Sequence, residues 1–227
     1  MLSLNSFFRP SIRLLGAIAA VVVAVVALPT LASATIASTT ATPFLGESMT
    51  ATLTIDDESQ LGDLVITLRV DAGPLTGDLR GFYAHVADES LLGGLSVTGP
   101  DITDSLFVAN SVHQLGAGTQ VPNSFPGCGW HGCDFGVAIG TFGIEADDIQ
   151  TVTFVLSHST MDLTVDLLAD LSFAIRLDDV GTPDGDRSSY SKLSGTVAVP
   201  EPSTAIMMLL GLAGLTAAGR RSTNDSI

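Results

Sequence analysis

Through most of the middle of the chain, apolar side chains return at every second position, and that period constrains the fold more than any other feature. Ala51, Leu53 and Ile55 alternate with Thr50, Thr52 and Thr54. Leu64, Ile66, Leu68 and Val70 alternate with Val65, Thr67 and Arg69, and Phe82, Ala84 and Val86 with Tyr83 and His85. The pattern returns at Val152, Phe154 and Leu156, at Leu163, Val165 and Leu167, at Phe173, Ile175 and Leu177, and over residues 193–199, with shorter stretches at 95–98, 106–109 and 137–142. Successive side chains of a strand point to opposite faces, so this spacing describes strands with one apolar and one polar face. Turn-forming clusters separate them, among them Asp71-Ala72-Gly73-Pro74, Gly99-Pro100-Asp101 and Thr182-Pro183-Asp184-Gly185-Asp186. Such strands pair antiparallel and bury their apolar faces against one another. The expected fold is therefore all-β, an antiparallel β-sandwich or jelly-roll-like body over residues 46–198. Only residues 163–171 also fit a short helix.

The two ends have a different character. Arg9 and Arg13 precede an apolar run from Leu14 to Leu28, then Pro29 and Ala32-Ser33-Ala34. A basic region, an apolar region and a small-x-small site make a signal peptide over residues 1–34, cut by signal peptidase after Ala34. The run is shorter than the ~20 residues of a spanning helix, although an uncleaved anchor is the competing reading. Residues 35–45, rich in Thr, Ala and Ser, read as a flexible lead-in. Beyond the body, Val199-Pro200-Glu201-Pro202 stops the last strand, because proline cannot donate to a ladder. An apolar stretch of residues 204–219 follows, read as a transmembrane helix just long enough to span or nearly span a bilayer, and then Arg220 and Arg221. The arginine pair favours a cytoplasmic C-terminal end and a body outside the inner membrane.

In order, spacing and position, residues 199–221 resemble the PEP-CTERM sorting signal. The resemblance implies a Gram-negative host that makes extracellular polysaccharide, and recognition by an exosortase, a membrane cysteine transpeptidase, with cleavage at or near Pro200-Glu201-Pro202. It implies an inner-membrane precursor that is then delivered to the outer surface or the extracellular matrix. The same tail occurs on secreted ice-binding proteins and sometimes carries their name as an ice-binding C-terminal domain. Residues 77–82, 87–92, 147–150 and 191–195 resemble parts of β-rich bodies that carry this tail, and that likeness implies no activity.

Charge narrows the choice of partners. Of 24 acidic and 9 basic residues, only Glu201, Asp225, Arg9, Arg13, Arg220 and Arg221 lie outside residues 35–198, so the body holds 22 acids against 5 bases, a formal charge of −17. That field repels phosphate backbones, so nucleic acid is not an expected partner. Solubility alone accounts for such a charge, and a divalent or basic partner also suits it.

A few clusters could carry chemistry. Cys128 and Cys133 are the only cysteines; in an oxidising compartment they form a disulfide, in a loop that the neighbouring glycines allow to close. A metal held by Cys128, Cys133 and His131 lacks a fourth ligand. The loop presents Trp130 and His131, either as a sugar-stacking tip or as a cover folded onto the body. Asp178, Asp179, Asp184 and Asp186 are candidate oxygen ligands for Ca²⁺, or a solvated turn. The row Thr50, Thr52, Thr54 has the regularity of an ice-binding surface, but only one such row is visible in the sequence. No nucleophile elbow, zinc-protease motif or phosphate loop occurs. The expected activity is non-enzymatic adhesion to exopolysaccharide or surface material; a polysaccharide hydrolase and an ice-binding protein are the alternatives.

Overall fold

The computed structural model describes residues 35–116, 119–120, 125–126, 128, 132–141 and 147–198. The expected signal peptide, transmembrane helix and sorting residues lie outside them. Among the described residues no helix is long and apolar enough to cross a membrane.

The alternating segments form strands as expected. They are β1 (Ile36–Gly46), β2 (Ala51–Asp56), β3 (Leu64–Val70), β4 (Thr76–His85), β5 (Leu95–Thr98), β6 (Ile102–Val112), β7 (Gln114–Leu115), β8 (Thr119–Gln120), β9 (Cys133–Ile139), β10 (Thr151–His158), β11 (Ser172–Gly181) and β12 (Ser189–Thr196). Ten of them make one sheet in the order β5-β10-β3-β2-β1-β12-β11-β4-β9-β6, every neighbouring pair antiparallel; β7 and β8 form a separate small hairpin.

Two sheets were expected, and β1 is the reason there is one. Its first half, from Ile36 to Ala41, pairs with β2, and its second half, from Thr42 to Gly46, pairs with β12. A bulge between Pro43 and Leu45 follows just beyond the change of partner. Proline cannot donate to a ladder, so a bulge is where a strand tolerates it. The two halves then face each other across the core. Phe82 of β4 lies 6.0 Å, centroid to centroid, from Phe154 of β10, and 5.9 Å from both Phe135 and Phe173. The end strands β5 and β6 are joined by the turn at Gly99-Pro100-Asp101, where the Ile102 amide donates to the Gly99 carbonyl at 3.3 Å. The sheet therefore nearly closes on itself.

The expectation of a flexible lead-in at residues 35–45 is corrected by β1. Composition concealed a period of two built from small residues. Ala37 and Ala41 are buried at 3% and 0% exposure, while Ser38 and Thr40 face out. Thr39 donates its hydroxyl to the Thr196 carbonyl at 3.2 Å. Alanine fits where two halves of a folded sheet approach closely, and β-branched threonine suits the pleat. At residues 163–171 the structure has a 3₁₀ turn, Val165–Leu168, rather than a strand. Leu163, Val165, Leu168 and Leu171 are all buried, so the residues serve the core without pairing.

Candidate functional site

Most of the polar chemistry in the body sits on β4 and on the ends of β9 and β11. Arg80 on β4 is 2% exposed, and its two terminal nitrogens lie 2.8 Å from Asp78 and 2.9 Å from Asp147. Asp78 is fully buried and accepts the Ile149 amide at 2.9 Å, and Asp147 accepts the Thr141 amide at 2.6 Å. The Asp78 contact with Arg80 is close but poorly aligned for a hydrogen bond. Burial pushes the Asp78 carboxyl up to about 7, against the pull of the Ile149 amide and the Arg80 charge.

Asp147 also borders an open cleft of about 640 Å³ shared with Asp148, Asp179, Asp186 and Arg187. Arg187 spans this cleft, donating to Asp148 at 2.6 Å and to the Asp179 carbonyl at 2.9 Å. Its hydrogen bond holds the Asp148 carboxyl below the usual range. Of the four candidate Ca²⁺ ligands, the structure brings Asp179 and Asp186 to the cleft. Asp178 is instead bound by Arg176, Nε to Oδ1 at 2.6 Å, and Asp184 sits on an exposed turn. Among the described residues no group of three or more His, Cys, Asp or Glu side chains is arranged to hold a metal ion.

Cys128 and Cys133 form the expected disulfide. They belong to a small apolar cluster with Tyr83, Val112, Leu115, Phe125, Ala138 and Ala174, separate from the main core. Trp130 and His131 lie outside the described residues. Next to the disulfide, Asp134 is fully buried and accepts the amides of Val86 at 2.9 Å and Asn110 at 2.8 Å. Its Oδ2 also lies 2.7 Å from His85 Nδ1. Nothing in the sequence distinguished Asp134 from the other acids, because its partners come from strands distant in sequence.

Register reveals two surfaces that sequence reading missed. On the outer face of the first half-sheet, Ser38, Thr54, Thr67 and Thr153 align in one row across β1, β2, β3 and β10. Thr40, Thr52, Arg69 and Thr151 align in the next. Neighbouring strands are about 4.8 Å apart and alternate residues about 6.7 Å, so seven hydroxyls and one guanidinium occupy a regular grid. On the second half, Arg176 of β11 stands opposite Lys192 of β12. The Arg176 guanidinium carbon lies 5.0 Å, and the Lys192 ammonium 5.8 Å, from the ring centre of Tyr190.

No curated protein and no solved structure matches the chain. One family model does match, and it covers the expected sorting residues Val199, Pro200, Glu201 and Pro202 together with Arg220 and Arg221. Over residues 198–222 the chain carries a PEP-CTERM protein-sorting motif, which implies export and processing by an exosortase at the membrane.

Proposed function

We propose that this is an exported surface protein whose body adheres, without catalysis, to exopolysaccharide or other surface material of a Gram-negative bacterium. Signal peptidase removes the leader, exosortase acts at the Pro-Glu-Pro segment, and the β body reaches the outer surface or the extracellular matrix. The observation that carries this reading is the sorting motif at residues 198–222. The acidic cleft supports binding over hydrolysis. Two of its carboxylates, Asp147 and Asp148, are each committed to an arginine, and the hydrogen bond from Arg187 keeps Asp148 ionised, a poor state for a general acid. Co-sedimentation of the full chain with polysaccharide from the host, with and without Ca²⁺, tests the adhesive role. Retention in the pellet is expected, and complete recovery in the supernatant under both conditions would overturn it.

A second reading, ice binding, is favoured by one observation: the two aligned rows of hydroxyls on the outer face of the first half-sheet, where the sequence showed a single row. Inhibition of ice recrystallisation by the full chain, abolished in Thr54→Lys/Thr67→Lys, would establish it. Ice growth indistinguishable from a buffer control would remove it.

A further inference from the structure

The 22 acids and 5 bases of the body leave every cation a choice of carboxylates. Four of the five take one. Arg69 lies 3.9 Å from Asp71, Arg80 2.8 Å from Asp78, Arg176 2.5 Å from Asp178, and Arg187 2.6 Å from Asp148. Lys192 is the exception. Among the described residues its ammonium has neither a carboxylate within ion-pair distance nor a hydrogen-bond acceptor, although the residue is only 9% exposed. Its neighbour across the strands is another cation, Arg176. Like charges directly opposite on a sheet destabilise it, and the stem of Lys192 is buried while its ammonium stays within reach of solvent. Burial first and the Arg176 charge second hold the Lys192 ammonium below its usual range, against the opposing pull of the Asp178 carboxylate.

The surroundings show what would complete the arrangement. Ile175 and Leu193 point into the main core, so their neighbours Arg176 and Lys192 face outward. Leu45 of β1 lies opposite Lys192 in the same row and is 43% exposed, and Tyr190 is 42% exposed beside them. Lys192, beside an arginine already held by Asp178, thus lies between an exposed aromatic and an exposed aliphatic side chain. That combination suits a sugar acid, whose carboxylate supplies the missing acceptor and whose C–H faces lie on the apolar rim. Extending the adhesive reading above, on which this rests, we propose that Lys192, Arg176 and Tyr190 form a binding site for the carboxylates of an acidic, uronate-bearing polysaccharide. The overall negative charge does not forbid it. At physiological ionic strength charges beyond about 8 Å are largely screened, whereas a contact at hydrogen-bond distance is not.

The test uses the full chain in detergent, titrated calorimetrically with sodium polygalacturonate and, separately, with neutral dextran at physiological salt. Lys192→Met keeps the apolar stem and removes the charge, and Lys192→Arg restores it. The expected result is polygalacturonate binding by the parent chain, weakened at least tenfold in Lys192→Met, substantially restored in Lys192→Arg, and no binding of dextran. The melting temperature of Lys192→Met should be unchanged or raised, since a like-charge contact is relieved. Equal binding of polygalacturonate by the parent and Lys192→Met would overturn the site while leaving the adhesive reading in place. So would equal binding of dextran, or binding abolished by a chelator and indifferent to Lys192→Met, which would assign adhesion to a Ca²⁺ bridge. Failure of the parent chain to bind either polymer or the host's own polysaccharide would overturn both.

Discussion

At the scale of single residues, stability in this body is set by buried groups whose partners lie far away in sequence. Asp78 shows this through pH. Its folded carboxyl titrates near 7 and an unfolded one near 3.8, so between those values the folded state holds the proton more tightly. Stability then falls as pH rises through that window, the reverse of a carboxylate kept ionised by a salt bridge. Melting temperatures of the parent and of Asp78→Asn from pH 4 to pH 8 check this. The parent should lose stability relative to the variant as pH rises, and a constant difference would contradict the assignment. Phe82 shows the other side of the core. It meets Phe135, Phe154 and Phe173 at once, so Phe82→Ala should cost about 3–5 kcal/mol in urea unfolding. By contrast, loss of the partly exposed Arg187–Asp148 pair through Arg187→Gln should cost only about 1 kcal/mol.

At the scale of elements, the strand that holds the body together is the one whose composition looked least like a strand. The alternating Leu, Ile, Val and Phe of β2, β3, β10 and β11 were legible because large apolar residues declare which face is inside. In β1 the inward residues are Ala37 and Ala41, and alanine gives no such signal. The strand shows only when its partners β2 and β12 are in place. Ala41 is completely buried close to the change of partner, so Ala41→Asp would place a carboxylate between the two half-sheets. A loss of about 3 kcal/mol or more is expected, with earlier proteolysis of the native chain. A tolerated Ala41→Asp would mean that β1 is dispensable. The disulfide was legible from two cysteines in an exported chain, and its worth is bounded by the five-residue separation. Closing so short a loop stabilises by about 2 kcal/mol, so reduction should lower the unfolding midpoint without unfolding the body.

At the scale of the whole molecule, the polar surfaces were the least legible part. Charge balance, read along the chain, showed an acidic body but not which cation lacked a partner. Lys192 stands apart only once Arg69, Arg80, Arg176 and Arg187 have found their aspartates. The grid of hydroxyls likewise exists only through register, since Ser38, Thr54, Thr67 and Thr153 come from four strands. The sorting motif is the opposite case. It is contiguous, so the Pro-Glu-Pro segment, apolar run and arginine pair could be read directly from the sequence, and the match at residues 198–222 agrees with that reading. Everything proposed for the body depends on its reaching the cell surface. The most direct test is the intact mass and fractionation of the protein from its native host, with and without the exosortase. The account predicts that the tail from about Pro200 onward is lost, and the body leaves the inner membrane, only when the exosortase is present. An intact tail retained in the inner membrane of both strains would contradict it.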